Sequence, residues 1–164
     1  MKLFLIDEIN TFAPYQVFEG ECANSLMFFS DEGLEYVVSF IKDETLDGCD
    51  NVFQFLIEAR TSSRSNNDVK VGETIACIAK AFFYRHKDYM LTFVCDISDS
   101  RQAARQRLFT RWFQKFNQNK FIKYDWQIET EECVFYASMM GCKEYPYLDN
   151  YKDAFGELVN SLQK

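Results

Sequence analysis

Residues 89–95, Tyr-Met-Leu-Thr-Phe-Val-Cys, constrain the fold more than any other part of the sequence. The run is almost wholly apolar and far too short to cross a membrane as a helix, which is typical of a strand with both faces covered. On either side of it, from 69 to 86 and from 99 to 117, apolar residues recur at three- and four-residue spacing. The sequence therefore predicts an interior strand of a sheet, preceded and followed by helices that pack on that sheet.

The chain before the polar segment 61–68 is rich in β-branched and aromatic residues, which favour strands. A tight turn at Asp31-Glu32-Gly33 indicates that these strands form an antiparallel meander. The meander strands are predicted at 25–30, 34–42 and 51–60, with weaker strand patterns at 15–18 and 3–9 that would extend its edge.

The remaining chain adds two strands and a helix. Strands are predicted at 121–128 and 132–139, and an amphipathic C-terminal helix begins at Asp149, after Pro146 breaks the chain. The fold class is therefore α+β: a mixed sheet in the order antiparallel meander, helix, strand, helix and two strands, followed by a C-terminal helix. A length of 164 residues suits a single domain over 1–164.

Neither export nor a disulfide framework is expected from the sequence. The first apolar run, Leu3 to Ile6, ends at Asp7 and is too short for a signal peptide or a membrane span. The six cysteines are scattered singly, which is typical of buried free thiols in a cytoplasmic protein. With one histidine and no C-x-x-C pair, no metal site is expected.

The charge is distributed unevenly. Residues 101–123 contain seven basic residues and no acid, so all 25 acidic residues lie elsewhere, and the net charge is −7. An acidic chain with one basic element is a poor general nucleic-acid binder, because its overall field repels phosphate. A small anionic ligand or a protein partner is the better expectation.

The basic element follows the predicted interior strand, where helix N-termini favour anions and where open α/β sheets place ligands. Arg101 and Arg105 fall on the apolar face of the predicted helix, after Asp96 and Asp99, with Asp99 as N-cap and Gln102 completing a capping box. An arginine cannot lose its charge, so an anion is expected beside the pair. Two interpretations stay open: internal pairing with Asp96, Asp99 or an acid on the meander, or a ligand site formed by Asp96, Asp99, Arg101 and Arg105.

No catalytic residue is predicted. Cys95 has no histidine near it in sequence to activate the thiol, and its place at the end of an apolar strand indicates core packing. His86 falls on the apolar face near the end of the first long helix, which indicates a packed residue or a helix C-terminal residue.

The order of elements over about residues 25–140 resembles the Gcn5-related N-acetyltransferase superfamily. That resemblance implies an acetyl-coenzyme A cofactor, whose pyrophosphate binds the amides of a glycine-rich loop before the first core helix. The matching segment here is 68–74, in which Lys70 and Gly72 would be the cofactor-binding residues and Glu73 would repel phosphate. The superfamily's tyrosine general acid has no counterpart, because the matching turn reads Arg107-Leu108-Phe109.

A more specific resemblance covers most of the chain. The segments 71–76 and 95–113 are similar to those of a family of small bacterial proteins without an assigned function. The leading hypothesis is thus an acetyltransferase-like domain that binds a small anion or a protein partner without catalysis. The alternatives are a coenzyme A-dependent N-acyltransferase and an interaction or immunity-type protein that works through exposed aromatic residues.

Overall fold

A computed structural model describes residues 2–46, 49–60, 68–95 and 100–162. Within these ranges the chain forms four helices and seven strands. In chain order they are α1 (Ile6–Phe12), β1 (Val17–Glu19), β2 (Ser25–Phe29), β3 (Glu35–Lys42), β4 (Val52–Ala59), α2 (Val69–Arg85), β5 (Met90–Val94), α3 (Gln102–Phe116), β6 (Phe121–Glu129), β7 (Val134–Cys142) and α4 (Leu148–Ser161).

The strands form one mixed sheet in the order β1-β2-β3-β4-β5-β7-β6. The pairs β1·β2, β2·β3, β5·β7 and β6·β7 are antiparallel, and β4 pairs β5 in parallel through Val52–Gln54 and Met90–Thr92. Backbone hydrogen bonds from Arg60 to Glu35 and from Asp43 to Val52 give β3 and β4 the antiparallel sense. β5 is therefore an interior strand, with α2 before it and α3 after it.

The α+β class, the mixed sheet and the C-terminal helix are confirmed. One predicted element is wrong, because the residues proposed as an edge strand at 3–9 lead into helix α1. Asp7 and Glu8 lie in the first turn of α1, where carboxylates interact favourably with the helix dipole. No helix among the described residues is long and apolar enough to cross a membrane.

The chain divides into two compact units, the first comprising Met1–Ile41 and Phe55–His86 and the second Lys42–Gln54 and Lys87–Lys164. The first unit has an aromatic core in which Phe40 is the central residue. Its ring centroid lies 4.6 Å from that of Phe4 and 5.1 Å from those of Phe55 and Phe82. These contacts join α2 and the segment before α1 to one face of the meander.

The second unit has a core on the face of the sheet that α4 covers. Trp126 of β6 packs edge-on against Phe155 of α4, at a ring-centroid distance of 5.0 Å. A Cβ added at Gly156 would lie 3.3 Å from the Trp126 indole nitrogen, so the absence of a side chain allows this close approach. The buried residues of this core are Leu46, Val52, Met90, Ile128, Ala137, Met139, Leu148, Phe155 and Val159.

We predict that Phe82→Ala destabilises the protein by roughly 3–5 kcal/mol, since its buried ring contacts the core of the first unit and truncation leaves a cavity. Urea unfolding measures the change. Phe12→Ala is the matched control, because Phe12 is 79% exposed, and it should change the free energy of unfolding by less than about 0.5 kcal/mol. Equal effects of the two substitutions would contradict the assignment of this core.

Candidate functional site

The face of the sheet opposite α4 carries polar side chains in the second unit. Phe93 of β5, Ser138 of β7 and Asp125 of β6 form one cross-strand row, and Lys123 lies two residues before Asp125 on the same face. Because side chains alternate along a strand, the sequence Lys-Tyr-Asp-Trp places both charges on this face and both aromatic rings on the face that α4 covers. The surface beneath α3 is therefore mixed, with an apolar part at Phe93 and a charged part on β6.

Asp125 is the centre of a hydrogen-bond network on this face. Its Oδ1 accepts hydrogen bonds from Ser138 Oγ at 2.5 Å, from Gln106 Nε2 at 3.0 Å and from the ammonium of Lys123. The Lys123 ammonium also donates to Thr110 Oγ1 at 3.3 Å. The Lys123 side chain is only 3% exposed, whereas that of Asp125 is 44% exposed. A nearly buried cation is thus neutralised by a half-exposed carboxylate.

α3 contacts the sheet through a polar seam, Gln102, Gln106 and Thr110, spaced four residues apart. Gln102 Nε2 donates to the carbonyl of Val134 at 3.0 Å, and the other two seam residues bond the network around Asp125. No residue of Gln102–Phe116 is fully buried. The apolar face of this helix also meets the sheet, since Phe109 packs edge-on against Phe93 of β5 at a ring-centroid distance of 5.2 Å. The predicted packing of α3 on the sheet is therefore confirmed, but the polar seam beside this contact was not predicted.

The two arginines of the predicted anion site lie one helical turn apart at the start of α3. Arg101 is the exposed N-cap residue of α3 and makes no side-chain cap, while Arg105 lies one turn into the helix and is half-buried. α3 begins at Gln102, so Gln102 is its first residue and not the third position of a capping box. Asp96 and Asp99 lie outside the described residues.

Arg105 acts electrostatically on Cys95, at the carboxyl end of β5. Burial raises the pKa of the Cys95 thiol to about 11, although the positive charges of Arg105 and Lys123 act in the opposite direction. The thiol is therefore protonated near neutral pH and is a poor nucleophile. All six cysteines are free, as predicted, but burial is confirmed for Cys95 alone, because Cys22 is exposed and the other four are half-buried.

The segment suggested for cofactor binding has a different geometry. Lys70 and Gly72 both lie within α2, whose N-cap is Asp68, as predicted. Asp68 accepts hydrogen bonds from the backbone N–H of Lys70 at 2.9 Å and from the hydroxyl of Tyr15 at 2.5 Å. The Lys70 ammonium bonds Asp31 at 3.0 Å. A carboxylate therefore occupies the start of α2.

Tyr15 stabilises that carboxylate as a proton donor. Burial and the hydrogen bond to Asp68 raise the pKa of Tyr15 to about 12, so the hydroxyl stays protonated and donates. At the other end of α2, His86 is the C-cap residue, and its ring centroid lies 5.5 Å from that of Phe82. This position agrees with the prediction that His86 is a packed helix-terminal residue.

Sequence reasoning missed the residues of the network, Gln106, Lys123, Asp125 and Ser138. A signal for the charges was present, because Lys123 and Asp125 fall on one face of a strand whose other face is apolar. If one helix had also been predicted on each face of that strand, Lys123 and Asp125 would have been predicted as two buried or half-buried charges of opposite sign. Gln106 and Ser138 carried no such signal, since uncharged polar residues are common on exposed surfaces.

The model of a family described as "Family of unknown function (DUF6169)" matches residues 67–157, which is more than half of the chain. No curated protein matches the sequence.

We predict that Asp125→Asn destabilises the protein by about 1–3 kcal/mol, because it leaves the nearly buried Lys123 ammonium without a counter-charge. Adding Lys123→Met to that variant should recover most of the loss. Glu129→Gln removes an exposed carboxylate from the same strand and should change stability by less than about 0.5 kcal/mol. Chemical unfolding at pH 7 compares the four proteins, and a neutral Asp125→Asn would contradict the network.

The same network predicts an acid-dependent loss of stability. Burial raises the pKa of Asp125, but the hydrogen bonds from Lys123, Ser138 and Gln106 outweigh it, so the net pKa is lowered. A carboxyl with a lowered folded-state pKa stabilises the fold above its unfolded pKa, at about pH 4, and loses that contribution as the pH falls through the folded value. The difference in unfolding free energy between wild type and Asp125→Asn should therefore shrink below about pH 4. A constant difference from pH 7 downward would contradict the assignment.

Proposed function

The chain belongs to DUF6169, a family of unknown function, and we propose that it is a diverged acetyltransferase-like domain that binds a small anionic ligand without transferring an acyl group. The proposed site lies at the start of α3, where Arg101 and Arg105 would bind the ligand. The observation that carries the non-catalytic part of the proposal is the carboxylate at the start of α2.

The order of elements supports the likeness to acetyltransferases. An antiparallel meander is followed by α2, by β5 in parallel pairing with β4, by α3 and by the hairpin β6–β7. This is the order that the resemblance implies. Because one fold supports many functions, the order of elements supports a fold relationship and leaves the activity to the residues of the site.

Asp68 opposes coenzyme A binding at the start of α2. In the acetyltransferase superfamily that helix start binds pyrophosphate, but here the Asp68 carboxylate already accepts the Lys70 N–H and the Tyr15 hydroxyl. A pyrophosphate would have to displace Asp68 and would meet the negative charge of Asp31 as well. Both carboxylates disfavour an anion at this end of the first unit.

α3 itself offers no group suited to acyl transfer. The helix contains no tyrosine, which is the residue that would protonate the leaving thiolate in the superfamily. Cys95 offers no replacement as a nucleophile, because burial keeps its thiol protonated. These residues support binding without catalysis.

The start of α3 has the opposite character to the start of α2. Its first turn contains no acid, and its N-cap residue is Arg101. Helix amides and two guanidinium groups together favour an anion. Gln102 Oε1 is buried and accepts no hydrogen bond within the described chain, so a ligand with a hydroxyl donor beside its negative charge would match this position.

We predict that citrate, which has carboxylates and a hydroxyl group, raises the melting temperature at constant ionic strength. Binding to the folded state should add about 2–4 °C for each kcal/mol of stabilisation in a domain of this size. Differential scanning fluorimetry measures the shift, with inorganic phosphate as a second probe and sodium chloride as the ionic-strength control. The Arg105→Ala variant should have the same melting temperature with and without citrate.

Arg111→Ala is the matched control, because Arg111 is an exposed arginine of the same helix and its loss changes the net charge equally. This variant should keep the shift. A citrate shift that survives Arg105→Ala would overturn the proposed site. An acetyl-coenzyme A shift of several degrees that is not lost in Arg105→Ala would instead favour the N-acyltransferase alternative.

A further inference from the structure

We infer that β6 is an interface strand, and that two copies of this chain pair their β6 strands antiparallel about a two-fold axis to continue the sheet. β6 is the last strand of the sheet and has only β7 as a strand neighbour in the described part of the chain. An edge strand presents unpaired backbone N–H and C=O groups, which pair readily with another strand.

The hydrogen bonds around β7 show which residues of β6 face the open edge. The N–H of Cys95 donates to the carbonyl of Tyr136, so the backbone groups of Tyr136 point toward β5 and away from β6. Tyr136 is opposite Gln127, which makes Tyr136 and Gln127 a non-hydrogen-bonded pair. The backbone groups of Gln127 therefore point away from β7.

The same alternation extends along β6. Lys123, Asp125, Gln127 and Glu129 present their N–H and C=O groups to the open edge, and none of these groups has a backbone partner in the described chain. Phe121 has the same orientation, and its N–H donates to the side chain of Asn117 at 2.8 Å, which agrees with this assignment. Four alternate residues of β6 thus offer the N–H donors and C=O acceptors that a further antiparallel strand needs.

β6 lacks the features that usually block such an edge. Its pairing with β7 runs through nine residues without a bulge, and it contains neither proline nor glycine. The opposite edge strand, β1, has only three residues. The inward-pointing charges Lys123 and Asp125 would ordinarily oppose an added strand, but they already neutralise each other, so a partner strand would not bury a lone charge.

The charges of β6 select one two-fold register, with Trp126 opposite Trp126 of the second copy. Asp125 then pairs with Gln127, and Lys123 pairs with Glu129, so all four edge residues form hydrogen-bonded pairs and the charges are complementary. Moving the axis to Asp125 would place two carboxylates opposite each other. Moving it to Tyr124 would leave Glu129 unpaired and would require the N–H of Phe121, which Asn117 already binds.

Sedimentation velocity at about 1–100 µM protein should show a reversible monomer–dimer equilibrium. Gln127→Pro should abolish the dimer while leaving the circular dichroism spectrum unchanged, because the lost N–H faces the open edge. A wild-type protein that is monomeric throughout this range would overturn the inference. So would a dimer that persists in a folded Gln127→Pro variant.

Charge substitutions at Gln127 test the register independently of proline. With Asp125 opposite, Gln127→Lys should tighten the dimer and Gln127→Glu should weaken it, each by about 2- to 30-fold in dissociation constant, since two symmetric pairs change. Asn150→Lys and Asn150→Glu make the same charge changes at an exposed site on α4 and control for net charge. The proposed register would be overturned if Gln127→Lys weakened the dimer and Gln127→Glu tightened it. It would also be overturned if the substitutions at Asn150 changed the dissociation constant as much as those at Gln127.

Discussion

The ion pair between Lys123 and Asp125 is the interaction on which the arrangement of the second unit depends. Lys123 is almost completely buried, and an ammonium without a partner in that position would be strongly destabilising. Its neutralisation allows β6 to have a helix on each face, α3 over the charges and α4 over Tyr124 and Trp126. The pair also determines which side of α3 meets the sheet, because Gln106 and Thr110 bond to its two members. The contact between Phe109 of α3 and Phe93 of β5 turns the same side of the helix toward the sheet.

That dependence explains what the sequence could and could not predict. The interior strand followed from its short, almost wholly apolar run, and helices α2, α3 and α4 followed from apolar residues at three- and four-residue spacing. The apolar side of α3 was predicted correctly at Phe109, which contacts Phe93. The polar contacts of Gln106 and Thr110 were not predicted, because their partners lie on another strand. Such polar contacts are visible only when the strand and the helix are considered together. The segment at 3–9 failed for another reason: a helix of seven residues has too few positions for its period to be distinguished from that of a strand.

The two long helices that flank β5 begin in chemically opposite ways, and this difference is more informative than the order of elements. α2 starts at Asp68, whose carboxylate is bound by a backbone N–H and by a tyrosine that burial and this hydrogen bond keep protonated. α3 has Arg101 as its N-cap and no acid in its first turn. A shared topology predicts a helix start at each place but not its charge, because one side chain decides whether an anion is attracted or excluded. The N-cap of α2 was predictable from Asp68 itself, whereas the contribution of Tyr15 required the fold, since 53 residues separate the two in sequence.

The same local neutralisation has a consequence for the edge of the sheet. Inward-pointing charges protect an edge strand because a second strand would bury them without a partner. In β6 the two charges have opposite signs and already bind each other, so the penalty that normally protects an edge is absent. The ion pair that helps to hold α3 in place thus also removes the charge penalty that would oppose strand pairing at the backbone of Lys123, Asp125, Gln127 and Glu129. A variant that kept only one of these two charges would restore the protection while weakening the attachment of α3, so edge protection and helix docking cannot both be improved by changing that pair.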